Sequence, residues 1–368
     1  MKIAPLMNAL RQEPEVFDFT LVHTGQHYDR QMNDVFFSEL GIPQPDVHLG
    51  VGSGSHAEQT AKVMIAFEKL LLEDRPHLVI VVGDVNSTLA AAVVASKLNI
   101  CLAHVEAGLL SFDRRMPEEI NRVLTDTLSD LLFTTSRFAD ENLLAEGIAR
   151  EKICLVGNIM IDTLIRYLEH AAGQDSLTGL GLETGGYGLV TLHRPANVDD
   201  HQVLAGIVDS LVRVNRQLPL IFPVHPRTRK QLKAFDLLGV LEAERGLHLI
   251  EPLGYLDFLC LLRSAKLVFS DSGGIQEETT FLRVPCLTLR ENTERPETIE
   301  QGTNLLVGSD PELIYREAIK IIEGGGKRGG DLEFWDGKVA RRIATEIKKR
   351  RKWLMDPIEE RMAVREAR

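Results

Sequence analysis

The sequence has little cysteine, no basic excess and no long apolar run. Its four cysteines, Cys101, Cys154, Cys260 and Cys286, form no CxxC pair, and each lies in an apolar stretch. That excludes a disulfide framework and implies buried free thiols in a reducing compartment. The formal net charge of −11 excludes general nucleic-acid binding, which needs a basic face to displace counterions. No apolar segment approaches the roughly 20 residues of a membrane span. The opening stretch MKIAPLMNALRQEPE has no apolar core long enough for a secretory signal. A cytoplasmic protein is expected, with neither nucleic acid nor membrane as partner.

What is present is an ordinary globular composition, 44% hydrophobic and 26% charged over 368 residues, enough chain for two cores. Short apolar runs alternate with segments of helical period. Strands are expected at 19–25, 78–84, 101–108, 131–136 and 153–158. A second series is expected at 188–194, 220–225, 248–252, 266–272, 285–291 and 304–308. Continuous apolar strands separated by helix-length segments imply parallel sheets covered on both faces. Ligands of such sheets bind at the carboxyl ends of the strands. His23, Asp84, Glu106, His193, His225, Asp271 and Arg290 all fall there. The expectation is an α/β protein of two doubly wound, Rossmann-like domains facing across a cleft. They span 1–168 and 169–336, followed by a helix and charged tail over 337–368.

Three constellations carry chemistry. In SDSGGIQEE (270–278), Ser272, Gly273 and Gly274 open a helix with backbone N–H groups that a Cβ would obstruct, a cradle for phosphate. Helical period sets Glu278 one turn beyond Gly274, where a carboxylate can take two ribose hydroxyls. The same residues also read as a plain helix cap with acidic first-turn residues. Asp84, Glu106 and Glu118 follow or end neighbouring strands. If they converge, their repulsion raises at least one pKa and yields an acid/base pair; each also reads as an independent cap or surface charge, as Glu119 is expected to be. His193 and His225 end strands beside Arg194 and Arg227, a pattern suited to a pyrophosphate. Zinc competes for the histidines, but they lack metal-ligand spacing.

Read in order, GQHYD (25–29), GDVNSTL (83–89), HVEAGL (104–109), MPEEINR (116–122), VGN (156–158), LHRPANVD (192–199), PVHPRT (223–228), SDSGGIQEE and TERPE (293–297) resemble the non-hydrolysing UDP-N-acetylglucosamine 2-epimerases. The likeness runs over about residues 2 to 345. It implies the GT-B fold, a UDP-sugar substrate, no metal or nicotinamide cofactor, a homodimer, and a C-terminal helix that crosses back to the first domain. It further implies elimination of UDP to a 2-acetamidoglucal and re-addition to the opposite face. Asp84, Glu106 and Glu118 are then the acid/base candidates and His193 lies near the leaving phosphate. Lys2, Phe258, Ser272, Gly273, Gly274, Glu278, Arg295 and His225 would bind substrate.

The chain departs from the family pattern in two places. After GQH it has Tyr28-Asp29, where members activated by a second UDP-GlcNAc have Arg and then a polar or acidic residue. That version also occurs in relatives acting on UDP-2,3-diacetamido uronates. It also begins within what is the family's first helix, so the first strand and its GTRPE loop are expected to be missing. Hydrolysing 2-epimerases share the same core. A GT-B glycosyltransferase and a nucleotide-sugar sensor are the alternatives of other classes.

Overall fold

The computed structural model describes residues 1–25, 44–172 and 176–356. Residues 26–29 of the GQHYD motif and the tail beyond 356 lie outside them. The chain divides into two compact units. Unit 1 comprises Met1–Thr163 and Glu333–Arg368; unit 2 comprises Leu164–Leu332.

Unit 1 holds a parallel four-stranded sheet in the order β3 (Leu78–Val82), β4 (Cys101–Ala107), β5 (Leu131–Thr134), β6 (Ile153–Leu155). A separate parallel ladder joins β1 (Val22–His23) to β2 (Val47–His48). Every residue of β4 is buried, as a central strand covered on both faces must be. The late helix Val339–Lys349 belongs to this unit. Its Val339, Ala340, Ile343, Ala344 and Ile347 join Leu6, Leu10, Val105 and Phe133 in one core. Asp162 caps it, accepting the amides of Val339 and Ala340 at 3.1 and 2.8 Å.

The helix Pro117–Leu128 is inside out. It buries Glu119, Asn121, Arg122, Thr125 and Asp126 and exposes Ile120 and Leu124. Its polar face is turned in because it satisfies the ends of β3 and β4, as described below.

Unit 2 is a six-stranded parallel sheet in the order β12 (Asn304–Leu306), β11 (Cys286–Thr288), β10 (Leu267–Ser270), β7 (Gly188–Thr191), β8 (Leu220–Pro223), β9 (Leu247–Ile250). The chain enters at the centre, runs out to β9, then returns to the other side of β7. The switch point therefore falls between β7 and β10, where open α/β sheets bind ligands. All eleven strands expected from the apolar runs are present, and β2 is a twelfth. Among the described residues no helix is long and apolar enough to cross a membrane.

Candidate active site

In unit 1 the site grows from the ends of β3 and β4. The pairing of β4 with β5 shifts register between Val105 and Ala107, leaving Glu106 in a bulge with φ at +70°. A left-handed conformation at a non-glycine residue costs about 1–3 kcal/mol and persists only where the surroundings force it. Glu106 is 4% exposed. Its Oε2 accepts the Lys2 ammonium at 2.5 Å, and its Oε1 is buried with no hydrogen-bond partner among the described residues. Lys2 Nζ and Glu106 Oε2 both lie within 4 Å of where a Cβ on Gly83 would sit, one residue before Asp84. Arg122 donates from Nε and Nη2 to Asp84 Oδ2 at 3.0 and 2.7 Å, and from Nη1 to Glu119 Oε2 at 2.8 Å. Asn121 donates to the Asp84 carbonyl at 2.9 Å.

Asp84 and Glu106 are thus not left to repel one another, because each has its own cation. Glu118 is half-buried on the first turn of its helix. Glu119, expected as an independent cap or surface charge, is instead buried. It accepts the amides of Ser111 and Phe112 and ties that loop to Arg122.

In unit 2 the site sits at the switch point. His193 follows β7 and Asp271 follows β10. The Asp271 carboxylate is fully buried and accepts the amides of His193 and Arg194 at 3.1 and 2.9 Å and the Asn197 side-chain amide at 3.1 Å. Its Oδ1 lies 3.0 Å from His193 Nδ1. Burial alone would raise this carboxyl, but the bonds from His193 and the amides outweigh it and hold the pKa low. Asp271 therefore fixes the orientation of the His193 ring through Nδ1. His225 lies 5.8 Å away, ring to ring, and its Nδ1 accepts the Arg227 amide at the start of the helix Pro226–Ala234. Burial, then the neighbouring His193, holds its imidazole below the ordinary range.

The helix Gly273–Leu282 starts at Ser272, whose side chain does not cap it, so its first amides are not taken by an N-cap. The two glycines serve different ends. A Cβ on Gly273 would come within 2.6 Å of Arg295 Nη1, whereas the space over Gly274 is open, with Ser272 Oγ at 4.0 Å. The two glutamates that follow have different partners. Glu277 accepts Arg295 Nε at 2.5 Å. Glu278, 2% exposed, accepts the Tyr255 hydroxyl at 3.0 Å, and burial pushes its pKa up to about 8. Arg295 also bonds Glu294. Phe258 is half-buried on the first turn of the helix Tyr255–Ser264.

A model of the UDP-N-acetylglucosamine 2-epimerase family matches residues 8–348. The chain belongs to this family. It is 46% identical to the UDP-N-acetylglucosamine 2-epimerase of Methanocaldococcus jannaschii, over 93% of this chain and 94% of that one. It is 41% identical to the UDP-2,3-diacetamido-2,3-dideoxy-D-glucuronate 2-epimerase of Pseudomonas aeruginosa, over 92% and 93% of the two chains. The crystal structure of the M. jannaschii enzyme in complex with UDP-GlcNAc and UDP superposes with a TM-score of 0.87 at 45% identity, covering 95% of this chain and 96% of that one. The two doubly wound units are thus the GT-B fold that the motifs implied.

Several residues that shape this epimerase's sites were not singled out from its sequence. Arg122 lay inside MPEEINR without a role. Tyr255 and the pair His104–Asp126 carried no signal, because their partners lie far away in sequence. Glu278 gives a test of stability. Its pKa is raised on folding, so the folded state holds a proton that the unfolded chain releases near pH 4.5. Stability is then expected to fall as pH rises from about 4.5 to about 8. Glu278→Gln should flatten that slope in urea unfolding across the window, and an unchanged slope would show that Glu278 is not the group responsible.

Proposed function

We propose that the chain interconverts UDP-N-acetylglucosamine and UDP-N-acetylmannosamine by eliminating UDP and re-adding it after the sugar has been reprotonated at C2. The C2 proton of the substrate is not next to a carbonyl, so direct removal is very hard. Expulsion of UDP with loss of that proton gives a 2-acetamidoglucal, and return of a proton to the opposite face inverts C2. The reaction needs a base and an acid at C2 and a stabilised diphosphate leaving group. Unit 1 supplies the first need through Asp84, Glu106 and Glu118. Unit 2 supplies the second through His193, oriented by Asp271, with His225 beside it. The first amides of the helix Gly273–Leu282, opened by Ser272, Gly273 and Gly274, hold the diphosphate. Glu278 takes the ribose hydroxyls and Phe258 packs on the base. Arg295 holds the glycine turn from beneath, and Lys2 balances the Glu106 charge.

The observation that carries this reading is Glu106: a buried carboxylate in a strained bulge, with a cation on one oxygen and, among the described residues, no partner on the other. Strain and an unsatisfied buried acceptor are costs that a purely structural residue would have no reason to keep. The test is incubation with UDP-GlcNAc in D₂O. Deuterium should appear at C2 with UDP-ManNAc. A transferase without acceptor, or a sensor, would leave C2 protonated, and release of free ManNAc would mark a hydrolysing enzyme. The likeness to the P. aeruginosa enzyme supports one second reading, a UDP-2,3-diacetamido uronate as substrate, and comparison of kcat/KM for the two sugars separates them.

We also propose a cytoplasmic homodimer. The inside-out helix supports the dimer: Ile120 and Leu124 stand exposed on it, with Phe112 just before it. Sedimentation of the purified protein should give twice the mass of the chain, and a monomer at micromolar concentration would refute the proposal.

A further inference from the structure

Beneath Glu106 lies a second, fully buried acid–base pair that the reaction does not touch. His104 is two residues before Glu106 on β4 and is 0% exposed. Its Nε2 lies 2.9 Å from the Gly83 carbonyl and its Nδ1 lies 2.6 Å from Asp126 Oδ1. The other carboxylate oxygen, Asp126 Oδ2, accepts the Gly108 amide at 3.0 Å. One carboxylate thus reaches the residues two before and two after Glu106 and closes a bracket across the bulge. Through the imidazole, the bracket extends to β3. Gly83 donates its own amide to Val105 at 3.1 Å and its carbonyl is taken by His104, so the residue preceding Asp84 is held on both sides by β4.

We propose that His104 and Asp126 form a positioning clamp that sets the backbone on either side of Asp84 and Glu106 and holds Glu106 in its strained conformation. The proposal rests on the acid/base roles given above to those two carboxylates.

The protons follow by elimination. A carbonyl can only accept, so Nε2 carries a hydrogen for Gly83. Nδ1 faces Asp126 Oδ1 at 2.6 Å, so a second proton lies between them. Burial would lower the His104 pKa, but the charge and hydrogen bond of Asp126, with Glu106 nearby, outweigh it, and the net shift is upward. Gly108 has no room to give. A Cβ there would meet the Ala139 carbonyl oxygen at 2.4 Å, and its own carbonyl accepts the Asn142 side-chain amide at 2.9 Å. A strained residue needs surroundings that over-determine it, and here two fixed points flank the strain at equal separation.

The test uses three variants of the full chain. Asp126→Ala removes the clamp. Asp126→Asn can keep every bond, with the amide oxygen on Gly108 and the amide nitrogen donating to a neutral His104. His104→Asn still donates to Asp126 but no longer reaches the Gly83 carbonyl. Misplacement of about 1 Å costs about 10²-fold in rate, so Asp126→Ala and His104→Asn should each lose about that in kcat, with UDP affinity within about twofold of the parent. Asp126→Asn should recover kcat to within about tenfold of the parent. A role in stability alone would lower the melting temperature and leave kcat below it unchanged. The clamp is overturned if His104→Asn keeps kcat within about threefold, if Asn at 126 restores no more than Ala, or if UDP affinity falls in step with kcat. Should Asp126→Ala not fold, His104→Asn and Asp126→Asn decide the matter. Full turnover in Asp84→Asn and Glu106→Gln would instead overturn the acid/base reading itself, which keeps the two failures apart.

Discussion

Replacing Glu106 with glutamine is expected to lower turnover by about 10²–10⁴-fold, the range for loss of one acid/base group. The substitution keeps the shape of the side chain, so the bulge and its strain remain. What changes is the ability of Oε1 to take or give a proton. The ammonium of Lys2 loses a charged partner but stays half-exposed to water. The residues proposed above to bind the nucleotide are in unit 2, while Glu106 is in unit 1. UDP affinity by calorimetry should therefore stay within about twofold of the parent. Deuterium incorporation at C2 should fall with turnover. If Glu106→Gln turns over at near the parental rate, Glu106 has no acid/base role and the strained bulge needs another explanation.

The second large effect is on stability. Arg122→Met should cost about 3 kcal/mol, the low end for breaking a buried ion pair from one side. Arg122 is 3% exposed, as is the Glu119 side chain, so Glu119 would be stranded with little water. The Asp84 side chain is 31% exposed and can be partly hydrated, which is why the low end applies. Methionine fills most of the volume, so the loss reports the ion network and not a cavity. Lysine should recover little, since one ammonium cannot span two carboxylates as the guanidinium fork does. Urea unfolding measures this, and a loss below about 1 kcal/mol would show the bridge to be incidental. Activity should fall as well, because Asp84 loses the side chain that orients it.

Both predictions turn on contacts that the sequence displays poorly. The strands were legible because a buried parallel strand is a continuous apolar run, as in LVIVV and LVFS. β2 was not, since Val47–His48 is two residues long and its short apolar stretch is broken by Asp46 before it, His48 within it and Gly50 soon after. The strand-to-helix turn at SDSGG was legible because it follows such a run directly. The helix Pro117–Leu128 shows where pattern reading fails. Periodicity directs Ile120 and Leu124 inward, yet they are exposed, and Glu119, Arg122 and Asp126 are inside. Hydrogen bonds to β3 and β4 reversed the usual order of burial. Little local announces this, because Asp84, which Arg122 holds, and His104, which Asp126 holds, stand 38 and 22 residues away. The same distance hides Tyr255 from Glu278. The sequence singles out Asp84, Glu106 and Glu118 but not the residues that hold the first two in place.

The helix Val339–Lys349 also bears on how the protein is made. Its apolar face completes a core whose members, apart from the helix itself and Leu354 just after it, run from Leu6 to Ile159 and leave the ribosome before any of unit 2. At about 5–20 residues per second, the whole of unit 2 is synthesised, on the order of ten seconds or more, before that helix appears. Unit 2, a continuous stretch, has all its strands in hand first. Unit 1 waits with the apolar faces of β4 and β5 uncovered on that side, which makes it the half of the nascent chain that chaperones would be expected to hold. A ribosome stalled just short of Val339 should carry a folded unit 2 and a protease-sensitive unit 1.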